Sequence, residues 1–454
     1  MLRLYDTMRK KVVPFAPADG RCVRMYVCGV TVYDHAHLGH ARVMVVFDLL
    51  RRWFIHGHGW QVRYVRNFTD VDDKIIRRAA ELNIPISELT EAMIRSFHED
   101  MDALGCAPPD EEPRATRYIS QMIAMIQTLL DNGYAYLAEN GDVVYAVERF
   151  AEYGALSGKK LDELEAGARV EDHAGKRNPL DFVLWKRAKP GEPKWDSPWG
   201  PGRPGWHIEC AAMSCTLLGE TFDLHGGGMD LMFPHHENEI AEARGASCHF
   251  ARHWMHVGFV QVKGEKMSKS LGNFWTVKDA LKRWHPEAVR LFALSAHYRA
   301  PLVFSPETLD QMQASVGRVY ELWRRMGGRP EPGPLPEAFR NALDDDFNVP
   351  KALGVWFSLV KEANRELDRG ETRPEAARKA SAIAELLGVG AGDVEAWFRF
   401  GLDLDEAEIE RLIAEREAAR KARDFKRADA IREMLRQKGI VVEDTPSGTR
   451  WRRA

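Results

Sequence analysis

The chain has 454 residues, of which 45% are hydrophobic and 29% charged, and its formal net charge is −3. This composition is that of a soluble globular protein, and the length suggests roughly two to four domains rather than one core. The first residues are charged and lack an apolar run, which argues against a signal peptide or a membrane span, so a cytoplasmic location is expected.

The six cysteines are few for this length and include no CxxC pair. They are expected to stay reduced, most of them as small buried side chains and one or two as ligands. The positions are Cys22, Cys28, Cys106, Cys210, Cys215 and Cys248. The pattern assigns no role to Cys22, Cys106, Cys215 or Cys248.

A strand, loop and helix open the first folding unit. The apolar residues Met25 to Cys28 predict a strand that ends at a Gly29 turn, and Val43 and Phe47 begin a helical repeat. His37-Leu38-Gly39-His40 stands where the loop becomes the helix. A helix N-terminus offers unpaired N–H groups and a positive dipole end, so this position favours phosphates.

Periodicity and turn signals predict the next elements. They are a strand at 61–67, a helix from Val71 capped by Thr69-Asp70, helices at 87–104 and 116–132, and a hairpin of 134–137 with 143–147 that turns at Asn140-Gly141. A loop-rich stretch follows, and we interpret about 115–205 as an insertion between the two halves of a doubly wound sheet.

The second half resumes at Trp206, where Trp206 to Cys210 leads into a helix, and Thr221 to His225 is a predicted strand. Gly226, Gly227 and Gly228 are predicted to form a turn whose backbone lies against a nucleotide. Asp230 then accepts hydrogen bonds from a ribose. Another helix is expected after Pro234.

The C-terminal third is predicted to be mostly helical. The elements are a helix at 306–326, a linker at 327–336, about three helices over 337–387, helices at 406–423 and 425–438, and a strand at 440–443. The predicted fold is therefore α/β, with a doubly wound, Rossmann-like parallel sheet and an insertion, followed by an all-α helical bundle and a small α+β domain. The expected boundaries are 1–305, including a loop region at about 258–305, then 306–387 and 401–454.

A second motif, Lys266-Met267-Ser268-Lys269-Ser270, lies between Gly264 and Gly272. Two lysines three residues apart in a loop place two mobile charges where negative charge builds up on a departing pyrophosphate. A solvated basic loop has the same pattern, but the position of these lysines downstream of the histidine motif favours a function in which both motifs bind phosphates. We assign the phosphates to His37, His40, Lys266 and Lys269.

Four further residues are candidate metal ligands. His235 and Glu239 are four residues apart on a predicted helix, so their side chains face the same way. Cys28 and Cys210 are predicted to lie at the ends of the first strands of the two sheet halves, near the switch point where ligands bind. Spacing alone leaves the set open, because a buried cysteine is often inert and His236 could replace His235.

The C-terminal segment is locally basic. Nine Lys/Arg and five Asp/Glu lie between Arg411 and Arg436, with Phe425 among them, and the chain closes on Arg450-Trp451-Arg452-Arg453. Basic charge interleaved with aromatic rings suits phosphate neutralisation and base stacking on a single-stranded loop. A solvated amphipathic helix would have a similar pattern.

The histidine and lysine motifs together resemble those of class I aminoacyl-tRNA synthetases, with Leu38 where that family often has isoleucine. MYVCG-T-YD, GWHIEC, HGGG-DL-FPHHENE and KMSKSLGN, in this order, resemble cysteinyl-tRNA synthetase from end to end. The resemblance implies one zinc ion that binds the substrate thiol directly, held by Cys28, Cys210, His235 and Glu239. Because zinc prefers thiolate sulfur, such a site separates cysteine from serine without editing.

The implied reaction joins L-cysteine and ATP, with Mg²⁺, into cysteinyl-adenylate and pyrophosphate, and then transfers cysteine to the 3' end of tRNA-Cys. The residues implied around ATP are His37, Gly39, His40, Gly227, Asp230, His256, Val257 and Lys269. Those implied around cysteine are Cys28, Gly29, Thr31 and Trp206. The candidate anticodon contacts are Arg420, Phe425, Asp429 and Asp444, with Phe425 where some relatives have tryptophan. A monomer is expected, with no membrane partner.

Two other functions stay open. A related enzyme joins cysteine to an amino-sugar of the mycothiol pathway, but it lacks the terminal basic unit that spans 406–454 here. A catalytically silent tRNA-binding paralogue is the second alternative. The presence of every candidate zinc ligand, motif histidine and motif lysine argues against it.

Overall fold

The structure is a computed structural model that describes residues 1–158, 175–262, 264–267, 273–401, 406–445 and 448–453. The chain divides into two compact units. Unit 1 comprises 1–278, 292–306 and 335–357, and unit 2 comprises 279–291, 307–334 and 358–454. The three-domain division given above stays a prediction.

The strands of the described residues are short outside the central sheet. In chain order they are β1 (Arg3–Asp6), β2 (Lys11–Pro14), β3 (Cys22–Thr31), β4 (Gln61–Thr69), β5 (Ala135–Leu137), β6 (Val143–Tyr145), β7 (Phe182–Arg187), β8 (Gly202–Pro204), β9 (Thr221–Gly228), β10 (Phe250–Val257), β11 (Val260–Val262), β12 (Glu265–Lys266), β13 (Leu302–Phe304), β14 (Ile440–Thr445) and β15 (Gly448–Arg453).

The helices begin with α1 (Leu38–Arg52), α2 (Asp73–Leu82), α3 (Ile86–Ala103), α4 (Ile119–Asp131), α5 (Trp206–Leu218) and α6 (Glu237–Gly245). They continue with α7 (Val277–Leu281), α8 (Pro286–Leu294), α9 (Pro306–Arg325), α10 (Glu337–Asp344), α11 (Val349–Asp368), α12 (Glu375–Leu387), α13 (Val394–Arg399), α14 (Glu406–Lys421) and α15 (Phe425–Gln437). Among the described helices, none has both the length and the apolar character needed to cross a membrane.

The central sheet of unit 1 confirms the predicted Rossmann-like fold. Its strand order is β10-β9-β3-β4, and all neighbouring strands are parallel. β3 is buried along most of its length because both faces of a parallel sheet are covered. The chain leaves β3 toward β4 through α1, whereas β9 pairs on the opposite side of β3. The carboxyl ends of the adjacent strands β3 and β9 thus form the switch point at which such sheets bind ligands.

A second sheet stands between the two halves of the central sheet in the chain. It is antiparallel, in the order β5-β6-β7-β8. The predicted hairpin is confirmed in β5 and β6, and Gly141 in its turn has a φ of +89°, which residues with a Cβ rarely adopt.

Two local predictions in unit 1 are wrong. Gly226, Gly227 and Gly228 do not form a turn but continue β9, in register with β10. Glycine is needed at Gly226 for packing and not for a turn, because a Cβ there would overlap the ring of Phe47. Thr69-Asp70 does not cap α2 either: Asp72 does, by accepting a hydrogen bond from the Lys74 N–H at 2.7 Å.

The expectation of reduced cysteines is also wrong for one pair. Cys215 on α5 and Cys248, just before β10, form a disulfide, although they are 33 residues apart in sequence. Spacing could not reveal this pairing because the two cysteines meet only when the chain between them has folded. Cys22, Cys28, Cys106 and Cys210 are not in disulfides.

The helical pattern predicted for the C-terminal third is confirmed in α9 to α15. In unit 2, β14 and β15 form an antiparallel hairpin against α14 and α15. The predicted strand at 440–443 is thus one arm of a hairpin whose other arm includes Trp451. That indole is buried in the hydrophobic core of this part of unit 2 and is not exposed for base stacking.

Candidate metal centre and nucleotide-binding loops

The four predicted metal ligands meet in one buried cluster. Their ligand atoms all lie within 4.8 Å of one another. The Sγ atoms of Cys28 and Cys210 are 3.6 Å apart, and Glu239 Oε1 lies 3.4 Å from Cys28 Sγ and 2.9 Å from His235 Nε2. His235 belongs to the helical turn before α6, so it and Glu239 face the same way as expected.

One detail of that prediction is wrong. Cys28 lies within β3, but Cys210 lies in the first turns of α5 and not at a strand end. The helix still delivers its side chain to the switch point. The sequence from Trp206 to Cys210 predicts a helix, and the error was to place Cys210 at the end of a strand.

A second set of donors overlaps the first. Cys28, His225, His236 and Glu239 also lie within 4.8 Å of one another and are all buried. His236 Nε2 is 3.3 Å from Cys28 Sγ, and His225 Nε2 is 2.7 Å from Glu239 Oε2. The alternative of His236 as a ligand is therefore compatible with the geometry. His225 was missed because only the fold brings it to the cluster.

Further side chains hold the cluster in place. The ring of Trp206 stacks on His235 with 4.1 Å between centroids, and His207 Nδ1 lies 2.8 Å from His235 Nδ1. On the other side, His236 Nδ1 contacts His256 Nε2 at 2.8 Å, and His256 Nδ1 contacts Thr7 Oγ1 at 2.8 Å. The histidine in GWHIEC was the available sequence signal for His207.

The charges of the buried side chains in the cluster favour a bound cation. Burial lowers the pKa of His235, but the Glu239 carboxylate and the Cys210 thiol outweigh burial and raise it to about 10. Burial raises the pKa of the Cys28 thiol well above its ordinary value. Ionisation of both thiols beside the Glu239 carboxylate in this buried cluster would therefore need a positive partner.

The donor set also fits the size and chemistry of zinc. Tetrahedral Zn–S bonds of ~2.3 Å put two sulfur ligands about 3.8 Å apart, close to the 3.6 Å between Cys28 and Cys210. Two thiols, an imidazole and a carboxylate are ordinary zinc ligands. The residues present therefore fit a zinc ion.

The histidine motif forms the N-terminus of α1. His37 is the N-cap, and its Nδ1 accepts hydrogen bonds from the N–H groups of Gly39 at 3.0 Å and His40 at 3.3 Å. His40 Nδ1 in turn accepts from the His37 N–H at 3.3 Å, and the two rings stack at 3.7 Å. Because both Nδ1 atoms accept, each neutral ring carries its proton on Nε2, the nitrogen suited to donate to phosphate.

Of the two motif lysines, Lys266 is described and Lys269 lies outside the described residues. Lys266 Nζ contacts Asp230 Oδ2 at 3.0 Å, so two residues assigned to ATP meet in the structure. Gly227 lies in β9, while His256 and Val257 end β10 beside it. Both ring nitrogens of His256 are engaged in the histidine cluster.

The residues expected around the cysteine substrate lie along β3 and α5. Gly29 lies where the β3–β4 register shifts, its N–H donates to Asn67 Oδ1 at 2.9 Å, and a Cβ there would overlap the Asn67 carbonyl. Thr31 pairs with Thr69 on β4. Trp206 remains 37% exposed, so its ring borders solvent as well as His235.

Sequence reasoning missed a polar pair beside this pocket. Thr69 Oγ1 donates to Glu209 Oε2 at 3.0 Å, and Glu209 is fully buried next to Cys210. Burial raises the pKa of Glu209 well above its ordinary value. A charged residue inside the apolar stretch of α5 was the signal that could have identified it.

The candidate anticodon residues differ in their surroundings. Phe425 is 61% exposed at the start of α15. Asp444 makes two hydrogen bonds of 2.8 Å to Arg416 and an ion pair of 2.5 Å with Arg420. These contacts hold the pKa of Asp444 far below its ordinary value. Asp429 lies on α15.

Comparison with known proteins is consistent over the whole chain. The model of the class I (C) tRNA synthetase catalytic domain matches residues 14–314, that of the DALR domain matches 338–389, and that of the cysteinyl-tRNA ligase anticodon binding domain matches 404–452. Proteins named cysteine–tRNA ligase from Thioalkalivibrio sulfidiphilus and Methylococcus capsulatus are 55% and 53% identical, with 100% of each chain covered.

Solved structures support the fold. The methionyl-tRNA synthetase of Mycobacterium tuberculosis in complex with methionyl-adenylate matches with a TM-score of 0.59 and 15% identity, over 82% of this chain and 90% of that one. A putative arginyl-tRNA synthetase from Campylobacter jejuni matches with a TM-score of 0.53 and 12% identity, over 82% and 93%. With family models and full-length relatives in agreement, the chain belongs to the cysteine–tRNA ligase family of class I aminoacyl-tRNA synthetases.

Proposed function

We propose that the chain activates L-cysteine with ATP to cysteinyl-adenylate and pyrophosphate, and then transfers cysteine to the 3' end of tRNA-Cys. The observation that carries this proposal is the buried cluster of Cys28, Cys210, His235 and Glu239 at the switch point of the sheet. The full-length relatives named cysteine–tRNA ligase support the same reaction.

Selection of cysteine is proposed to occur at this cluster. When bound there, zinc would supply a soft Lewis acid that prefers the substrate thiolate to a serine hydroxyl. His225 holds Glu239 by its second oxygen, which leaves Oε1 directed at Cys28 and His235. The ring of Trp206 stacks on His235 and so would hold this imidazole in position to bind the metal.

Adenylate formation needs no enzyme nucleophile, because the cysteine carboxylate attacks the α-phosphate directly. The residues proposed to act here are charge stabilisers. His37 and His40 would donate from Nε2 to phosphate oxygens at the N-terminus of α1, where the helix dipole adds to their effect. Lys266 would leave Asp230 for the pyrophosphate, and Asp230 would then accept from the ribose. The corresponding proposal for Lys269 rests on the motif alone.

Gly227, His256 and Val257 are proposed to border the adenine, and Gly29 and Thr31 the amino acid. Arg420, Phe425, Asp429 and Asp444 are proposed to contact the anticodon. Of these, Phe425 has the exposure that base stacking requires. Asp444 is proposed to act together with Arg416 and Arg420, its ion-pair partners. We further propose a cytoplasmic monomer that uses Mg²⁺ with ATP.

The deciding experiment is transfer of labelled cysteine to a tRNA-Cys transcript, with labelled serine in parallel and zinc content measured on the same sample. The proposal expects charging with cysteine and not serine, together with about one zinc ion per chain. Adenylate formation without charging of tRNA would instead favour the cysteine:amino-sugar ligase. Absence of both steps would favour a silent paralogue.

The amino-sugar ligase is the weaker alternative. The segment 404–452 matches the anticodon-binding model of the cysteinyl enzymes, and that segment folds as α14, α15 and a hairpin. An enzyme acting on a small amino-sugar has no use for an anticodon-binding unit.

A further inference from the structure

Helix α3 contacts the two chain segments that flank the ATP motifs. Ser96 and Asp100 are four residues apart and therefore lie on one face of α3; we call them the α3 platform. Ser96 Oγ lies 2.6 Å from His35 Nδ1, two residues before the histidine motif. Asp100 Oδ1 lies 3.4 Å from Lys278 Nζ, nine residues after Lys269.

The two flanking segments also pair directly with each other. Residues 36–38 and 275–277 run antiparallel, with a bridge between His37 and Thr276. The Leu38 N–H donates to the Trp275 carbonyl at 3.0 Å, and the Val277 N–H donates to the Ala36 carbonyl at 2.9 Å. The α3 platform thus supports both segments of a short backbone ladder from the same helix face.

Asp100 is a buried acid on α3. It is only 1% exposed, and within the part of the chain that the structure describes its Oδ2 has no hydrogen-bond partner. The titratable groups that face it are Lys278 and His35, and Glu99 is its acidic neighbour on α3. Glu99 makes the shorter contact to Lys278, 2.7 Å, but its side chain is 68% exposed and its charge is screened by water. A buried carboxylate acts on Lys278 with less screening.

We propose that Asp100 and Lys278 are positioning residues for ATP, because they set the spacing between the histidine motif and the segment that follows the lysine motif. This inference rests on the proposed function, in which the two motifs bind the same triphosphate. Phosphates held from two segments require both to be in place when the α-phosphate is attacked. A displacement of ~1 Å at such a distance from the reaction can cost as much as about 100-fold in rate.

The test is cysteine-dependent ATP–pyrophosphate exchange by the full-length chain, with ATP varied at saturating cysteine and then cysteine varied at saturating ATP. Asp100→Asn and Lys278→Met are expected to lower kcat/KM for ATP by about tenfold, within the range of a positional error. The KM for cysteine and the zinc content are expected to match the wild type. Lys278→Arg should restore most of the loss, and Glu99→Gln is the matched control, expected to change kcat/KM less than about twofold.

The pH dependence separates positioning from simple destabilisation. Burial raises the pKa of Asp100 to about 6, against the opposing effect of Lys278. Below that pH the carboxyl is protonated and no longer attracts Lys278, so kcat/KM for ATP in the wild type should fall on the acid side. Asp100→Asn should lack this particular fall while starting from a lower plateau.

Three results would overturn the inference: unchanged ATP kinetics in both variants, an equal loss in Glu99→Gln, or an acid limb that persists in Asp100→Asn. If Asp100→Asn fails to fold, the comparison of Lys278→Met with Lys278→Arg decides the matter by the same ATP kinetics. A wild-type chain without exchange activity would overturn the proposed function, and this inference with it.

Discussion

Arg42 offers the most direct test of how unit 1 is held together. This residue follows the histidine motif on α1, is 1% exposed, and donates to four backbone carbonyls. Its Nη1 contacts Gly258 O at 2.9 Å and Phe259 O at 3.0 Å, and its Nη2 contacts His297 O at 3.0 Å and Ala300 O at 2.7 Å. One guanidinium therefore joins α1 to two separate loops.

The expected cost of Arg42→Met follows from these four bonds. A hydrogen bond to a charged group contributes roughly 1.5–3 kcal/mol, so four would total about 6–12 kcal/mol before the cost of burying the charge is subtracted. That desolvation cost is several kcal/mol, and removal of one partner from a buried charged network typically destabilises by about 3–5 kcal/mol. We expect a loss of about 4 kcal/mol for Arg42→Met.

Urea unfolding followed by circular dichroism measures this loss. Because the chain has two compact units, two transitions are fitted, and only one is expected to move. Arg42→Lys should recover less than half of the loss, since one ammonium cannot reach carbonyls on both loops with a fork geometry. Arg340→Met is the control: this exposed arginine makes a 3.0 Å bond to the Gly57 carbonyl, and its loss should cost less than about 0.5 kcal/mol. A loss below about 1 kcal/mol for Arg42→Met would refute the reasoning.

Three further predictions concern the proposed sites. Cys210→Ala should reduce zinc, measured by mass spectrometry of the digested protein, from about one ion per chain to background, while Cys106→Ala keeps it; equal zinc in both would exclude Cys210 as a ligand. Gly29→Ala should destabilise unit 1 by about 2 kcal/mol in urea, because the added methyl meets the Asn67 carbonyl, and an unchanged midpoint would contradict the close approach. Asp444→Asn should raise the KM for tRNA and leave ATP–pyrophosphate exchange unchanged, and a tRNA KM equal to that of the wild type would exclude a role of Asp444 in tRNA binding. Because pairing with Arg416 and Arg420 lowers the pKa of Asp444, the contribution of this ion pair to stability in the wild type should persist at neutral pH and decline only in acid.

Elements that depend on local pattern could be predicted from the sequence. α1, the β5–β6 hairpin and the helices of the C-terminal third follow from periodicity and turn residues, and the structure has them close to the predicted bounds. The facing pair His235 and Glu239 is of the same kind, since four residues make one helical turn.

Features that depend on packing between distant segments could not be predicted. Three consecutive glycines indicate a turn in isolation, yet here they let β9 pass against the ring of Phe47. The Cys215–Cys248 disulfide joins residues that the chain does not bring together locally. The four carbonyl partners of Arg42 likewise leave no signal in the sequence, because any backbone can supply them.

The metal cluster shows where local and tertiary information combine. Two overlapping donor sets share Cys28 and Glu239, and distances alone allow either. We propose that the metal would be held by the set that includes Cys210. The Sγ atoms of Cys28 and Cys210 are buried 3.6 Å apart, and a cation between them would stabilise the ionised form of both thiols. In that set His225 contacts the second oxygen of Glu239 and His236 Nε2 lies 3.3 Å from Cys28 Sγ, so both histidines would orient proposed ligands from behind. On this proposal, His225 and His236 are buried at the cluster because they support the residues that would hold the metal.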